Sequence, residues 1–134
     1  MTFTEANFFA DPRHNQVVDL IYYHLVEWSR IQDPEVNIDD VYCISGKAAA
    51  IWQGETDTPV NNAIFITDNE ELFQYILKSV PSLVKLPAVK FQEKLLIYAP
   101  DLYIEIHFWS GVFNRVFEDF VPVHLLADIP PQYL

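Results

Sequence analysis

The sequence predicts an α/β or α+β domain, with a mixed β-sheet and helices packed mainly on one face. Two short apolar runs, 41–45 and 63–67, suit buried strands. Between them Gly46 permits a tight turn, and 47–53 has the alanine-rich character of a closely packed helix. Further on, 95–98 and 102–109 flank Ala99-Pro100-Asp101, the pattern of a β-hairpin.

Along the chain, residues 1–13 read as an irregular N-terminal arm, with Phe3, Phe8 and Phe9 as anchors and Asp11-Pro12 marking a turn or helix start. From His14 to Ile31, Val17, Leu20, Ile21, Leu25, Trp28 and Ile31 recur at helical spacing. This helix is expected to bury Leu20, Ile21, Leu25 and Trp28 while exposing Asp19, Glu27 and Arg30. It should stop before Pro34, because proline disfavours helical geometry in the residue before it. Residues 33–40 form an acidic loop, and 54–59 a second loop. Asp68-Asn69-Glu70-Glu71 resembles a capping box, with Asp68 as a capping residue, for a helix through Leu72, Tyr75, Ile76 and Val80 that Pro81 ends. In 102–109, Leu102, Ile104, Ile106 and Phe108 share one face, with Tyr103, Glu105, His107 and Trp109 on the other. The segment 111–121 is compatible with a helix, through Val112, Val116 and Phe120, or with extended structure. The Pro-rich end, 129–134, reads as a surface tail.

Composition narrows the class. A chain of 134 residues, 51% hydrophobic and 15% aromatic, has the makings of one domain over 1–134 with a conventional core. No apolar run approaches the roughly 18 residues of a membrane helix. Residues 1–7 lack the charged and apolar regions of a signal peptide, so a cytoplasmic location and no membrane partner are expected. Cys43 is alone among apolar neighbours, which points to a buried small hydrophobe. The net charge of −11 is uneven: residues 1–72 hold 13 acidic and 3 basic groups, residues 73–134 hold 6 and 5. That balance opposes nucleic-acid binding, which depends on neutralising phosphates, and admits a basic protein partner or a merely solvated surface.

The order of elements, α–β–Gly–α–β–α–β–β, resembles the nucleotidyltransferase superfamily of polymerase-beta-like minimal transferases over about residues 41–109. In that family a Gly-Gly or Gly-Ser turn opens the first helix and helps hold nucleotide phosphates. An Asp-x-Asp pair on the next strand, with a third carboxylate on a later strand, holds two divalent metals. The chemistry needs these groups because the metals bridge phosphate oxygens during in-line displacement. Here the resemblance aligns Gly46 with the turn glycine and Lys47 with the second small residue. It sets Asn62 and Ile64 in place of the paired aspartates, and Glu105 in place of the third carboxylate, followed by Ile106-His107. A neutral amide and a branched hydrocarbon side chain cannot replace two anionic oxygen ligands. The resemblance therefore implies a degenerate member, with no catalytic residue, metal or cofactor assigned and a vestigial cleft at Gly46, Lys47, Asn62, Glu105 and His107.

Each of these residues also has an ordinary reading: a turn glycine, a solvated lysine, a strand start, and outward-facing strand residues. The chain holds three glycines and no phosphate-binding loop motif, and Ser45-Gly46 lacks the flanks of a nucleophile elbow. Its four histidines show no paired metal spacing, and Trp28, Trp52 and Trp109 read as core or rim aromatics. The expected function is a noncatalytic interaction or regulatory module. The alternatives are an active metal-dependent nucleotidyltransferase with other ligands, or an acidic antitoxin-like inhibitor of a basic partner.

Overall fold

A computed structural model describes residues 1–54, 62–111 and 113–134. The N-terminal segment is folded rather than an irregular arm. Helix α1 (Phe3–Ala6) is capped by the Thr2 side chain, which accepts from the Glu5 N–H, and by left-handed Asn7. Phe3, Phe8 and Phe9 are all buried, as their anchoring role requires. Asp19 is not simply exposed. Its carboxylate accepts the Phe3 N–H at 2.7 Å, and the Thr4 N–H and hydroxyl at 3.0 and 2.6 Å. It thus ties α1 to the next helix.

Helix α2 (Pro12–Arg30) starts with Asp11 accepting the Arg13 N–H and with proline in its first turn. It buries Val18, Ile21, Leu25 and Trp28, whereas Leu20 is 45% exposed and does not join the core as expected. Val18, Ile21, Leu25 and Trp28 step by three and four and so form one continuous stripe, which leaves Leu20 at its flank. A 3-10 turn at Ile38–Asp40 then leads into β1 (Tyr42–Ser45), α3 (Gly46–Trp52) and β2 (Asn62–Thr67). The expected loop over 54–59 lies, beyond Gly54, outside the described residues.

Helix α4 (Glu70–Val84) is capped by Asn69, whose side chain accepts the Leu72 N–H at 2.9 Å. Asp68, read as the cap, is exposed beside it. Nor does Pro81 end the helix, which runs on to Val84 and left-handed Lys85. Pro81 has no N–H to give the Leu77 carbonyl, so the helix runs past it with one bond of its ladder missing.

The remaining strands are β3 (Ala88–Phe91), β4 (Lys94–Ala99), β5 (Leu102–Phe108), β6 (Arg115–Glu118) and β7 (Val121–His124). The β4–β5 hairpin turns on Pro100-Asp101 as expected. β3 adds a hairpin that the sequence did not announce, and in 115–121 the chain forms a strand and a turn at Asp119-Phe120 leading into β7 rather than a helix. Among the described residues the seven strands form one mixed sheet, ordered β3-β4-β5-β2-β1-β7-β6. β2 pairs with β5, and β1 with β7, in parallel; the other pairings are antiparallel. The two strands expected on either side of the alanine-rich helix are neighbours in the sheet and run antiparallel, so β1, α3 and β2 do not form a parallel crossover. After Gly46, α3 need only return the chain alongside the end of β1 that it has just left.

The main core lies between the sheet and its helices. α2 packs against α4, and both reach β5, while α3 rests on β1, β2 and β7. Trp52 of α3 stacks on Phe8 at 4.3 Å, which joins the Phe3–Phe9 cluster against α2. Ile44, Ile104 and Ile106 face this layer. Among the described residues the opposite face carries no α-helix; Cys43, Ser45, Ile64, Ile66, Glu105 and His107 lie there by strand alternation. Among the described residues no helix is long and apolar enough to cross a membrane.

Candidate functional site

The helix-free face draws its order from strand register. Ser45 pairs with Ile64, and Ile64 pairs with Glu105, so the three stand side by side on β1, β2 and β5. One step along, Cys43, Ile66 and His107 form the next row. Gly46 follows Ser45 directly, with φ +72, a conformation favouring glycine at the start of α3. A Cβ there would lie 3.0 Å from Ile64 Cδ1 and 3.3 Å from the Tyr133 carbonyl oxygen. Glycine is therefore required twice over, by its dihedral and by the close approach of two neighbours.

Glu105 and His107 do come together. Glu105 Oε1 is 3.2 Å from His107 Nε2, and the Tyr133 hydroxyl is 3.4 Å from His107 Nδ1. An ionised carboxylate can only accept, so beside one Nε2 carries a proton; in the neutral form of the ring Nδ1 is then left to accept from the tyrosine. His107 is buried and Glu105 partly buried. Of the other expected cleft residues, Lys47 is exposed at the start of α3, and Asn62 opens β2 opposite Tyr103. Gly46, Glu105 and His107 thus border one region, while Lys47 extends to solvent.

Tyr133 belongs to the segment expected to be a surface tail. Instead Ile129 is buried, and a 3-10 turn at Pro131–Tyr133 carries the tyrosine onto the sheet. Tyr133 touches His107 edge-on at 5.4 Å and lies 6.4 Å from Trp109. Burial, and then the charge of Glu105, raises the pKa of its hydroxyl.

A second polar pair sits beside this one. Ser45 Oγ and His124 Nδ1 are 2.9 Å apart, both buried. Trp109 and Phe113 pack on the His124 ring at 5.4 and 6.2 Å. Burial lowers the His124 pKa, with Asp128 acting the other way. Gln53 holds the end of β7 in place: its amide donates to the His124 carbonyl at 2.8 Å, and its oxygen accepts the Leu126 N–H at 3.0 Å. Ser45 and His124 have the chemistry of a nucleophile and base, but each is only 1% exposed, so no acyl group can approach. Burial likewise pushes the Cys43 thiol up to about 12, which makes it an inert part of the core.

Sequence reasoning missed Ser45, His124, Trp109 and Tyr133 as members of this site. Position along the chain offered no signal, because His124 and Tyr133 reach it from strands and turns far from residue 45. Among the described residues no group of three or more His, Cys, Asp or Glu side chains could hold a metal ion. Compared with known proteins, the chain matches no family model, no curated protein and no solved structure.

Proposed function

We propose that this domain is a noncatalytic interaction or regulatory module on a degenerate nucleotidyltransferase-like fold. One observation carries the reading: Ile64 stands in register between Ser45 and Glu105, with its side chain at Gly46. In the resembling family that position supplies a metal-binding aspartate, and here it is hydrocarbon. The carboxylate left in the row, Glu105, is already engaged by His107. Tyr133 also crowds the approach to Gly46, where the family would seat phosphates. Two cations cannot be clamped against a triphosphate by one such carboxylate.

The test is magnesium titration by calorimetry, alongside incubation with labelled nucleotides and protein or RNA acceptors. The expected result is neither Mg²⁺ uptake nor label transfer. The double variant Asn62→Asp with Ile64→Asp should gain Mg²⁺ affinity that the parent lacks. Magnesium-dependent labelling that disappears in Glu105→Ala would overturn the reading in favour of an active transferase.

A second reading, capture of a basic protein by the acidic first part, is favoured by a groove of about 480 Å³ lined by Tyr22, Arg30, Glu35 and Asp39. Burial, and then the neighbouring Asp40, raises the Asp39 pKa, opposed by a Tyr22 hydrogen bond and Arg115. A cation placed there would relieve that repulsion. Binding of a basic protein that weakens with salt and in Asp39→Asn would support this reading; binding indifferent to both would remove it.

A further inference from the structure

We infer that the β3 edge of the sheet, with the apolar helix-free face beside it, is a docking site for an extended acidic polypeptide segment that adds to the sheet as a strand. Three observations converge on this surface. β3 is the terminal strand of the sheet and, among the described residues, has β4 as its one neighbour. The backbone of Pro87 accepts from Tyr98 across the hairpin. By antiparallel alternation, Pro87, Val89 and Phe91 bond inward to β4, while Ala88 and Lys90 turn their N–H and C=O groups outward. Those outward groups are the template for one more strand.

The apolar face supplies the second observation. Register aligns Val89 with Leu96, and Tyr98 with Tyr103, while Phe91 stands opposite Lys94. Val89, Phe91, Tyr98 and Tyr103 are 47%, 57%, 44% and 37% exposed, with half-buried Leu96 among them. Scattered exposed hydrophobes are ordinary, but these are contiguous, lie on one face and adjoin an open edge. An added strand would place alternate side chains against this patch.

Charge selects the occupant. Between Leu77 and Tyr98 the chain carries Lys78, Lys85, Lys90 and Lys94 against one carboxylate, Glu93, although the whole molecule is strongly acidic. Lys90 stands in the middle of the edge strand and is exposed. Two copies pairing β3 to β3 would bring their lysines together, the device by which edge strands resist self-association. A nucleic acid would meet the net charge of −11 beyond this small patch. A short acidic strand with apolar residues at alternate positions satisfies the backbone, the lysines and the hydrophobic face at once. This inference rests on the interaction-module reading and gives that module a partner chemistry.

The test is fluorescence anisotropy of the full chain with a panel of labelled ten-residue peptides alternating Glu with Val, Ile, Leu or Phe. Lys-for-Glu versions of the same peptides serve as controls. Saturable binding of at least one acidic peptide is expected, weakening with added salt, and weaker by about tenfold or more in Lys90→Glu and in Phe91→Ser. Tyr23→Ser, on the helical side, should bind as the parent does. Unfolding midpoints of the variants confirm that the fold persists. Failure of the whole panel, equal binding of the lysine peptides, or indifference to both β3 variants would overturn the proposal. So would sedimentation showing a dimer that Lys90→Glu alters, since the edge would then belong to a second copy. None of these outcomes touches the magnesium and nucleotide titrations, so failure of this proposal is distinguishable from failure of the module reading.

Discussion

Gly46 concentrates several constraints in one atom's worth of space. Replacing it with Ala would impose left-handed strain and press a methyl group toward the Ile64 terminus and the Tyr133 carbonyl. We expect a loss of about 1–3 kcal/mol in chemical denaturation, typical of non-glycine strain. Ile64 can swing its end away, whereas the dihedral and the carbonyl remain, so adding Ile64→Val should restore only part of that loss. Trp28 tests a different kind of residue. Its side chain is 6% exposed between α2 and the core, with the Tyr75 ring of α4 at 6.3 Å. Trp28→Ala should cost about 3–5 kcal/mol through lost burial and the cavity left behind. A much smaller loss would mean that the α2–α4 seam can close over the gap.

Among the elements, α4 makes a clean comparison because two neighbouring residues compete for one role. Asn69 caps it in the structure, while Asp68 lies exposed one residue earlier. Asn69→Ala should lower stability by about 1 kcal/mol, and Asp68→Ala by no more than a few tenths. Equal losses would show that the first turn relies on charge rather than on the cap's hydrogen bond. Local signals such as this one explain which elements were legible in the sequence. β1, α3, β2 and the β4–β5 hairpin each announce themselves through a glycine, an apolar run or a proline turn. β3 does not, because Ala88-Val89-Lys90-Phe91 is a short edge strand with no buried face to set a period. In 111–121, Val112, Val116 and Phe120 fall four apart, which suits a helix without excluding extended structure; among the described residues, the pairing of 115–118 with β7 makes a strand there and leaves Phe120 in the turn that follows. The candidate site was legible only where it lay on adjacent strands. Glu105 and His107 share a strand face, but the meeting of Ser45 with His124 and of His107 with Tyr133 is set by tertiary topology.

For the molecule as a whole, acid should be destabilising through His124. Its folded pKa lies below the ordinary 6.5, so the native state favours the neutral ring. Above pH 6.5 the ring is neutral in both states, and this contribution is fully present. As pH falls below 6.5 the unfolded chain takes up a proton that the native ring resists, and stability is lost until the folded pKa is passed. Asp39 acts in the opposite sense at lower pH, since its raised pKa makes the native state the better proton acceptor. Urea unfolding at a series of pH values should show stability falling from about pH 6.5 downward. The slope should flatten in His124→Gln; an unchanged slope would assign the acid sensitivity elsewhere.

The flanking of β1 by β2 and β7 also orders events in time. β1 precedes the other six described strands, yet one of its two neighbours, β7, is the last of them in the sequence. Until residues 121–124 arrive, a nascent chain carries an apolar strand, Tyr42-Cys43-Ile44-Ser45, with one edge bare in the middle of its future sheet. Closing that gap is a long-range parallel pairing, the slow kind. The vulnerable interval for aggregation therefore extends until residues 121–124 have emerged, and a ribosome stalled shortly before residue 121 would hold a chain with its central strand unprotected.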